Sequence, residues 1–236
     1  ENLELVGAFC AIEPGSLDPR HPDRLRDQKV LLPNLMLRTV KASRPILIDE
    51  HVESQLEVLF DDMRKMGLDD EGLTVGPQPV IPSYGKRPKF MFITDAPSYS
   101  ECVSRKFADG KSFNYTLSSL KEAELKKSDG YYTALVKTKK ADKQLSTEEI
   151  NTWSSFIDAE IELLKPPVII AAGGAIARHL CPDVKGGWEA IAGTSVYDVK
   201  RDCTIIFSPN PQMVYAKPDV QTVLDNIMCD VAEMLR

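Results

Sequence analysis

Apolar and polar positions repeat with two different periods along this chain, and each period predicts one type of element. After Lys89, short apolar runs end abruptly at turn residues, as in KFMFITD and PVIIAAGG. Elsewhere apolar residues recur every three or four positions, which predicts amphipathic helices such as TEEINTWSSFIDAEIELL. Near-continuous apolar strands alternating with such helices are typical of a parallel sheet that is covered on both faces. The pattern therefore predicts an α/β fold, a three-layer αβα sandwich around a four-stranded parallel sheet.

The other predicted elements continue this alternation. They are a helix from about Leu117 to Lys127, a strand in YYTALVKT, a helix in AIARHL, a short pair of strands in SVYDVK and CTIIFS, and a final helix from Pro218. In sheets of this kind ligands bind outside the carboxyl ends of the strands. We therefore expect the segments that follow the strands to converge at one edge: TDAPSYSE, KTKKADK, GGAIA and SPNPQ.

Residues 1–80 have a different character from the rest of the chain. They are irregular and proline-rich, with one amphipathic helix predicted in ILIDEHVESQLEVLFDDMRKMG. The apolar face of this helix needs a partner surface, either the rest of this chain or a neighbouring domain. We predict an N-terminal extension over residues 1–80 and a domain over residues 81–236.

Composition limits the function classes. With 236 residues and 43% hydrophobic content, the chain can bury one good core. No apolar run approaches the roughly 20 residues that cross a bilayer, and no signal peptide is recognisable, so we expect a cytoplasmic, intracellular protein without membrane association. The five cysteines are scattered and form no CxxC pair, which favours reduced thiols over disulfides or zinc. Because the chain begins at Glu1 without methionine, we expect it to be one module of a longer protein.

The net charge of −6 argues against a protein whose whole surface binds phosphates. Any contact with nucleic acid is then local. One basic cluster follows a predicted strand and consists of Lys137, Lys139, Lys140 and Lys143. Such a cluster is either a solvated loop or a DNA contact on the rim of the site.

Other familiar catalytic patterns are weak in this sequence. GGAIA fits a tight strand-to-helix turn better than a phosphate site, because it lacks both G-x-G-x-x-G and a Walker lysine. No G-x-S-x-G elbow is present. His21, His51 and His179 fit structural or solvated roles, and no metal-ligand cluster emerges.

The order and spacing of the strand-end motifs resembles the uracil-DNA glycosylase superfamily, and most closely its family 4 branch. The resemblance extends from about Ser83 to Arg236 and rests on GYYTALVKTKK, on the stretch from STEEINTW to ARHL, on CTIIFSPNPQ and on the first motif. It implies a fold that binds DNA and hydrolyses the bond between a base and its sugar.

The first motif of that family, GEAPGxxE, corresponds to residues 94–101 here. The resemblance implies that Asp95 positions or activates the attacking water, with Ala96 and Pro97 beside the base. A general base must lie within hydrogen-bond reach of the proton that it takes. The alternative is that Asp95 caps the backbone amides that follow it.

Two base-binding positions follow from the resemblance. The family motif G-x-P-F appears as Gly110-Lys111-Ser112-Phe113, so Phe113 would stack on the flipped base, unless it is simply a core side chain. Ala134 replaces the family asparagine that hydrogen-bonds the edge of uracil. Because alanine cannot make that contact, we expect the usual uracil specificity to be absent.

The last family motif, HPS, is also altered. Asn210 occupies the position of its histidine, so an amide that carries no transferable proton replaces the group that stabilises the departing base. Met213 and Tyr215 follow in QMVYAKPD and either wedge between bases or belong to a loop packed on the domain.

The iron–sulfur cluster of family 4 has no ligands here. Two of its cysteine positions align with Thr138 and Trp153, and the segment in which the other two would lie has none. A cluster needs thiolates, so we expect no cofactor.

The changes at these positions predict a degenerate module with lost or strongly altered base excision. We expect it to bind DNA weakly, single-stranded or damaged, as part of replication or repair, with a protein partner or fused domain. Two alternatives stay open: an active glycosylase with altered base specificity, and a protein-interaction or structural module.

Overall fold

A six-stranded sheet forms the centre of the computed structural model, which describes residues 44–140 and 144–236. The strands are β1 (Ser83–Tyr84), β2 (Phe90–Thr94), β3 (Gly130–Ala134), β4 (Val168–Ala172), β5 (Ser195–Asp198) and β6 (Cys203–Ser208). Their order is β1-β3-β2-β4-β6-β5, with the inner four parallel and both edge strands antiparallel.

The predicted α/β sandwich is confirmed, but the prediction of a four-stranded sheet is wrong. The four parallel strands are present, and one antiparallel strand is added at each edge. β1 has only two residues, too few to give a periodic signal. β5 and β6 are joined by a short turn, which forces the pair to be antiparallel.

Seven helices accompany the sheet in the described part of the chain. They are α1 (Glu50–Lys65), α2 (Tyr99–Ser104), α3 (Phe113–Glu122), α4 (Thr147–Leu164), α5 (Gly174–Leu180), α6 (Trp188–Ile191) and α7 (Val220–Met234). Short 3-10 turns occupy Lys127–Asp129 and Pro211–Tyr215. Within this part of the chain, no helix has the length and apolar character needed to span a bilayer.

The predicted bounds of α3 are wrong. The helix begins four residues before Leu117 and ends at Glu122, well before Lys127. The chain reverses at Glu124, whose φ of 58° lies in the left-handed region and cannot continue a helix. The sequence pattern also missed α2 and α6, since helices of six and four residues are too short to show a helical period.

Strand alternation divides the core into two layers. Met91 and Ile93 point toward the layer that contains α1, α4 and α5, whereas Phe90 and Phe92 point toward α3 and α7. The same alternation operates at the tip of β2, where the next residue is Asp95. Its side chain continues the face of Ile93 and therefore points toward α5.

The apolar face predicted for α1 packs against this chain. Leu56, Phe60 and Met63 are buried in the same core layer as α4, and Val52 and Leu59 pack partly buried against it. The surface that covers the apolar face of α1 therefore belongs to this chain and includes α4. The division of the chain at residue 80 stays a prediction.

Both ends of the described chain lie at the amino edge of the sheet. The Arg44 guanidinium donates a 3.0 Å hydrogen bond to Asp202 in the β5–β6 turn, and the Ile46 amide donates to the Pro88 carbonyl just before β2. At the other end, Arg236 lies 3.8 Å from Glu124, which follows α3 on the way to the start of β3.

Lys137 is not on the surface, contrary to the prediction that it lies on an exposed DNA-binding rim. Its ammonium is 2.5 Å from Glu160 Oε1 on α4, and both side chains have 0% exposure. It also donates a 2.6 Å hydrogen bond to Thr133 Oγ1. Burial lowers the pKa of Lys137 and raises that of Glu160, while each charge favours the ionised form of the other. The pair therefore ties the end of β3 to α4 from inside the core.

Replacing one member of this pair should destabilise the fold far more than replacing both. Lys137→Met leaves the Glu160 carboxylate buried without its cation, which costs about 3–5 kcal/mol, whereas Lys137→Met with Glu160→Leu should recover most of that loss. Urea unfolding gives both free energies, and the single-variant deficit should shrink as the pH falls and Glu160 takes up a proton. A single variant as stable as the parent at neutral pH would contradict the buried pair.

Candidate functional site

The ends of the four parallel strands bring the predicted motifs to one edge of the sheet. Thr94 of β2 is in register with Ala134 of β3 on one side and with Ala172 of β4 on the other, and Ala172 pairs with Ser208 of β6. Asp95 follows the first of these strands, and Asn210 follows the last by two residues. The carboxyl edge of the sheet is therefore the candidate site.

The Asp95 carboxylate caps a helix that starts from the neighbouring strand. Its Oδ1 accepts hydrogen bonds of 2.9 Å from the backbone amides of Ala175 and Ile176, in the first turn of α5. These amides have no partner inside the helix. The carboxylate also lies against Gly173, where an added Cβ would be 2.4 Å from it and where φ is +146°. Asp95 thus caps backbone amides, as one of the two sequence interpretations proposed, but they are the amides of α5 and not those that follow Asp95.

Opposing effects act on the pKa of the Asp95 carboxyl group, and burial is the largest of them. Burial raises its pKa above the ordinary value, while the two amide bonds and the charges of Arg178 and Lys140 act in the opposite direction. Arg178 lies over the start of α5, because a Cβ on Gly174 would be 3.3 Å from its guanidinium. A half-buried carboxylate is therefore flanked by two cationic side chains.

A small pocket lies on the other face of the sheet, toward α3. Two predicted site residues, Phe113 and Asn210, line it. Its remaining lining residues are Phe92, Thr94, Glu101, Phe107, Ser112, Thr116, Tyr132, Thr133, Pro211 and Gln212. Asp95 and Ala134 are not among them, and Ala134 is fully buried in the core. Phe113 and Asn210 thus line the same pocket, whereas the Asp95 carboxylate lies outside it.

The pocket is too small for a base. Its volume is about 30 Å³, whereas a cavity that admits benzene has about 150 Å³. Phe113 helps to fill it: the ring is 8% exposed, meets Tyr132 edge-on at 5.2 Å, and lies 5.1 Å from the Lys127 ammonium. The stacking surface proposed for a base is therefore occupied by neighbouring side chains in this structure.

Glu101 is a site residue that the sequence reasoning did not select. Its carboxylate accepts bonds from the Ser98 amide at 2.8 Å, the Ser98 hydroxyl at 2.7 Å and the Ala108 amide at 3.0 Å. Burial raises its pKa, and these bonds oppose the shift. Ser98 and Glu101 form the capping box of α2, and their S-x-x-E spacing was a readable signal. Glu101 therefore holds the first motif against the loop before α3.

Asn210 uses its amide oxygen locally. Oδ1 accepts a 3.0 Å hydrogen bond from the Gln212 amide and caps the 3-10 turn that begins at Pro211. Only its amide nitrogen is then available as a donor toward the pocket. Asn210 can orient a polar group there but cannot transfer a proton to it.

The remaining basic side chains of the predicted rim differ from Lys137. Lys139 and Lys140 are exposed, and the Lys139 ammonium lies 5.4 Å from the centre of the Tyr99 ring. Lys143 lies outside the described residues. Ala96 and Pro97, predicted beside the base, are buried in the turn that leads to α2. The DNA-binding and base-binding roles of these residues stay predictions.

The segment after Asn210 contains one packed and one exposed side chain of the two that the sequence analysis selected. Met213 is half-buried against the cluster of Val214, Val220 and Leu224, so it belongs to the packed part of the loop. Tyr215 is 57% exposed and meets Tyr115 edge-on at 5.1 Å. Its exposed ring leaves the wedge role open as a prediction.

Trp153 and the histidines are the positions at which the sequence analysis considered a cluster or a metal. Trp153, at one aligned cluster position, is 6% exposed and packs against Phe156. His179 lies 2.9 Å from Asp158, and His51 is exposed in the first turn of α1, while His21 lies outside the described residues. Between residues 44 and 140 and from 144 onward, no group of three or more potential ligands is arranged for a metal ion.

The fold and the converging strand ends define an α/β sandwich of the glycosylase type, and a family comparison establishes the membership. The model of the uracil DNA glycosylase superfamily matches residues 82–232, so the chain belongs to this superfamily. Over its whole length the chain is also 31% identical, across 237 aligned residues, to a DNA polymerase III subunit alpha of Yersinia pestis. It spans 19% of that relative's length.

Variants of Asp95 should separate its capping role from its charge. Asp95→Ala removes the acceptor for two amides and should cost about 0.5–2 kcal/mol in the free energy of unfolding. Asp95→Asn keeps an acceptor without a buried charge and should be at least as stable as the parent at neutral pH.

The pH dependence of the free energy of unfolding tests whether the charge of Asp95 destabilises the fold. Because burial raises the folded-state pKa of Asp95, ionising it destabilises the fold as the pH rises above about 4. The advantage of Asp95→Asn should therefore shrink as the pH falls toward that value in denaturant titrations. An Asn variant as unstable as the Ala variant at neutral pH would show that the negative charge itself is required.

Proposed function

We propose that this chain is a DNA-associated module of a replication or repair protein in which base excision is lost or strongly altered. One observation carries the proposal. Asp95 points toward α5 on one face of the sheet, whereas Phe113 and Asn210 line a pocket of about 30 Å³ on the other face.

The chemistry of excision explains why this separation matters. A general base must reach the water that attacks the sugar while the base is held in its pocket. Here one oxygen of Asp95 is engaged by two amides, and the pocket has neither the volume for a base nor the family asparagine at Ala134. Asn210 in place of the histidine alters a group that stabilises the departing base, and complete removal of one such donor costs about 2.7–4 kcal/mol in other enzymes.

Local charge supports DNA as the partner. Lys139, Lys140 and Arg178 are exposed at the carboxyl edge, and two of them act on Asp95, although the chain as a whole carries −6. The superfamily is named for an enzyme that acts on DNA, and the relative from Yersinia pestis is named as a DNA polymerase subunit. Binding of modest strength to single-stranded or damaged DNA, inside the cell, agrees with this distribution.

An active glycosylase with altered base specificity is the second candidate. It is favoured by the partly exposed carboxylate of Asp95, whose raised pKa suits a general base. This candidate requires the loop around Phe113 to move, because a pocket of about 30 Å³ does not hold a base. The acidic net charge also favours a protein-interaction module, which makes no salt-dependent contact with DNA.

DNA binding should be weak, dependent on salt and removable at two lysines. Titration of a labelled single-stranded oligonucleotide by fluorescence anisotropy at several salt concentrations gives the affinity and its salt slope. For single strands the slope changes by about 0.7 for each phosphate contact, so Lys139→Glu with Lys140→Glu should lower it by about 1.4 and remove most of the binding.

A matched control uses two exposed lysines at the opposite edge of the sheet. Lys86→Glu with Lys200→Glu makes the same change in net charge but should leave the affinity almost unaltered. Equal losses in both double variants would mean that only the overall charge matters. Absence of binding to any oligonucleotide at low salt would refute the DNA proposal and favour the protein-interaction module.

A further inference from the structure

An exposed aromatic side chain lies beside the candidate site without a role in the fold. Tyr99, the first residue of α2, is 71% exposed, and Val103, one turn later on the same side of the helix, is 67% exposed. Neither side chain contributes to the buried core. Together they form an apolar shelf that the expected catalytic chemistry does not use.

The shelf has a cationic border. The Lys139 ammonium lies over one face of the Tyr99 ring, 5.4 Å from its centre, but unlike Phe113 the Tyr99 side chain is 71% exposed. The Lys139 backbone also lies near the Cys102 thiol of α2, where it opposes the rise in the thiol pKa that burial causes. Arg105, the left-handed residue that ends this helix, and Lys106, which follows it, are also exposed. One cationic side chain therefore lies at the ring, and two more exposed basic residues follow where the helix ends.

We propose that Tyr99 is a stacking platform for an unpaired base, with Lys139, Arg105 and Lys106 contacting the adjacent phosphates. An aromatic ring stacks on any base whose face is open, and neighbouring cations follow the backbone, which is the combination used to bind single strands. A duplex hides its base faces within the stack and offers Tyr99 only phosphates. This inference rests on the proposed function. It attributes the preference for single-stranded over duplex DNA to Tyr99.

The expected result is a selective loss of single-strand affinity. For an oligothymidylate of roughly 15 nucleotides, Tyr99→Ala should weaken binding about five- to 150-fold, the range found when stacking aromatics are removed. Tyr99→Phe keeps the ring and should bind like the parent. Affinity for a duplex of the same length should change less than twofold in both variants.

A fluorescent purine analogue within the oligonucleotide gives an independent readout of stacking. Its emission should be quenched on binding to the parent and to Tyr99→Phe, but not on binding to Tyr99→Ala. Val199→Ala is the control, because it truncates an equally exposed apolar side chain (63%) near the amino edge. Urea midpoints of all four proteins check that the substitutions leave the fold intact.

The outcomes distinguish this inference from the proposed function. Unchanged affinity of Tyr99→Ala, or equal losses on single strands and duplex, would overturn the stacking platform while leaving salt-dependent binding through Lys139 and Lys140 in place. A parent protein that binds no oligonucleotide at low salt would overturn both.

Discussion

The contact between the Asp95 carboxylate and the first turn of α5 determines the organisation of the candidate site. It joins the tip of β2 to the helix that follows β4, through amide bonds of 2.9 Å from Ala175 and Ile176. It also requires glycine at 173, because a side chain there would collide with the carboxylate and would have to adopt a φ of +146°. A residue that resembles a catalytic acid in sequence is thereby used to hold two strand ends together.

The direction of Asp95 follows from the pleat of β2. Ile93 and Asp95 are two residues apart and share the face toward α5, whereas Thr94 faces the pocket with Phe92. The Asp95 carboxylate and the pocket lined by Phe113 and Asn210 are therefore on opposite faces of the sheet. Residues 44 and 236, which bound the described part of the chain, lie at the amino edge, opposite the candidate site.

Much of this structure was predictable from sequence, and the failures have physical reasons. The four parallel strands and α4 were predicted because they carry long, regular apolar patterns. Lys137 was misplaced because it lies in a lysine-rich run, yet Glu160 offered a signal: it shares the apolar face of α4 with Trp153 and Ile157 and so needs a buried cation. The pocket volume was not predictable, since it depends on how Phe113, Tyr132 and Lys127 pack together.

Uracil excision measured at saturating protein tests most directly whether this module has lost the chemistry of its superfamily. Single-stranded and duplex oligonucleotides that contain one uracil are incubated with an excess of protein and then treated with alkali to cleave abasic sites. We expect no cleavage above a control without protein, because the carboxylate and the pocket are on different faces and the pocket excludes the base. Uracil release by the parent that disappears in Asp95→Asn would contradict this conclusion.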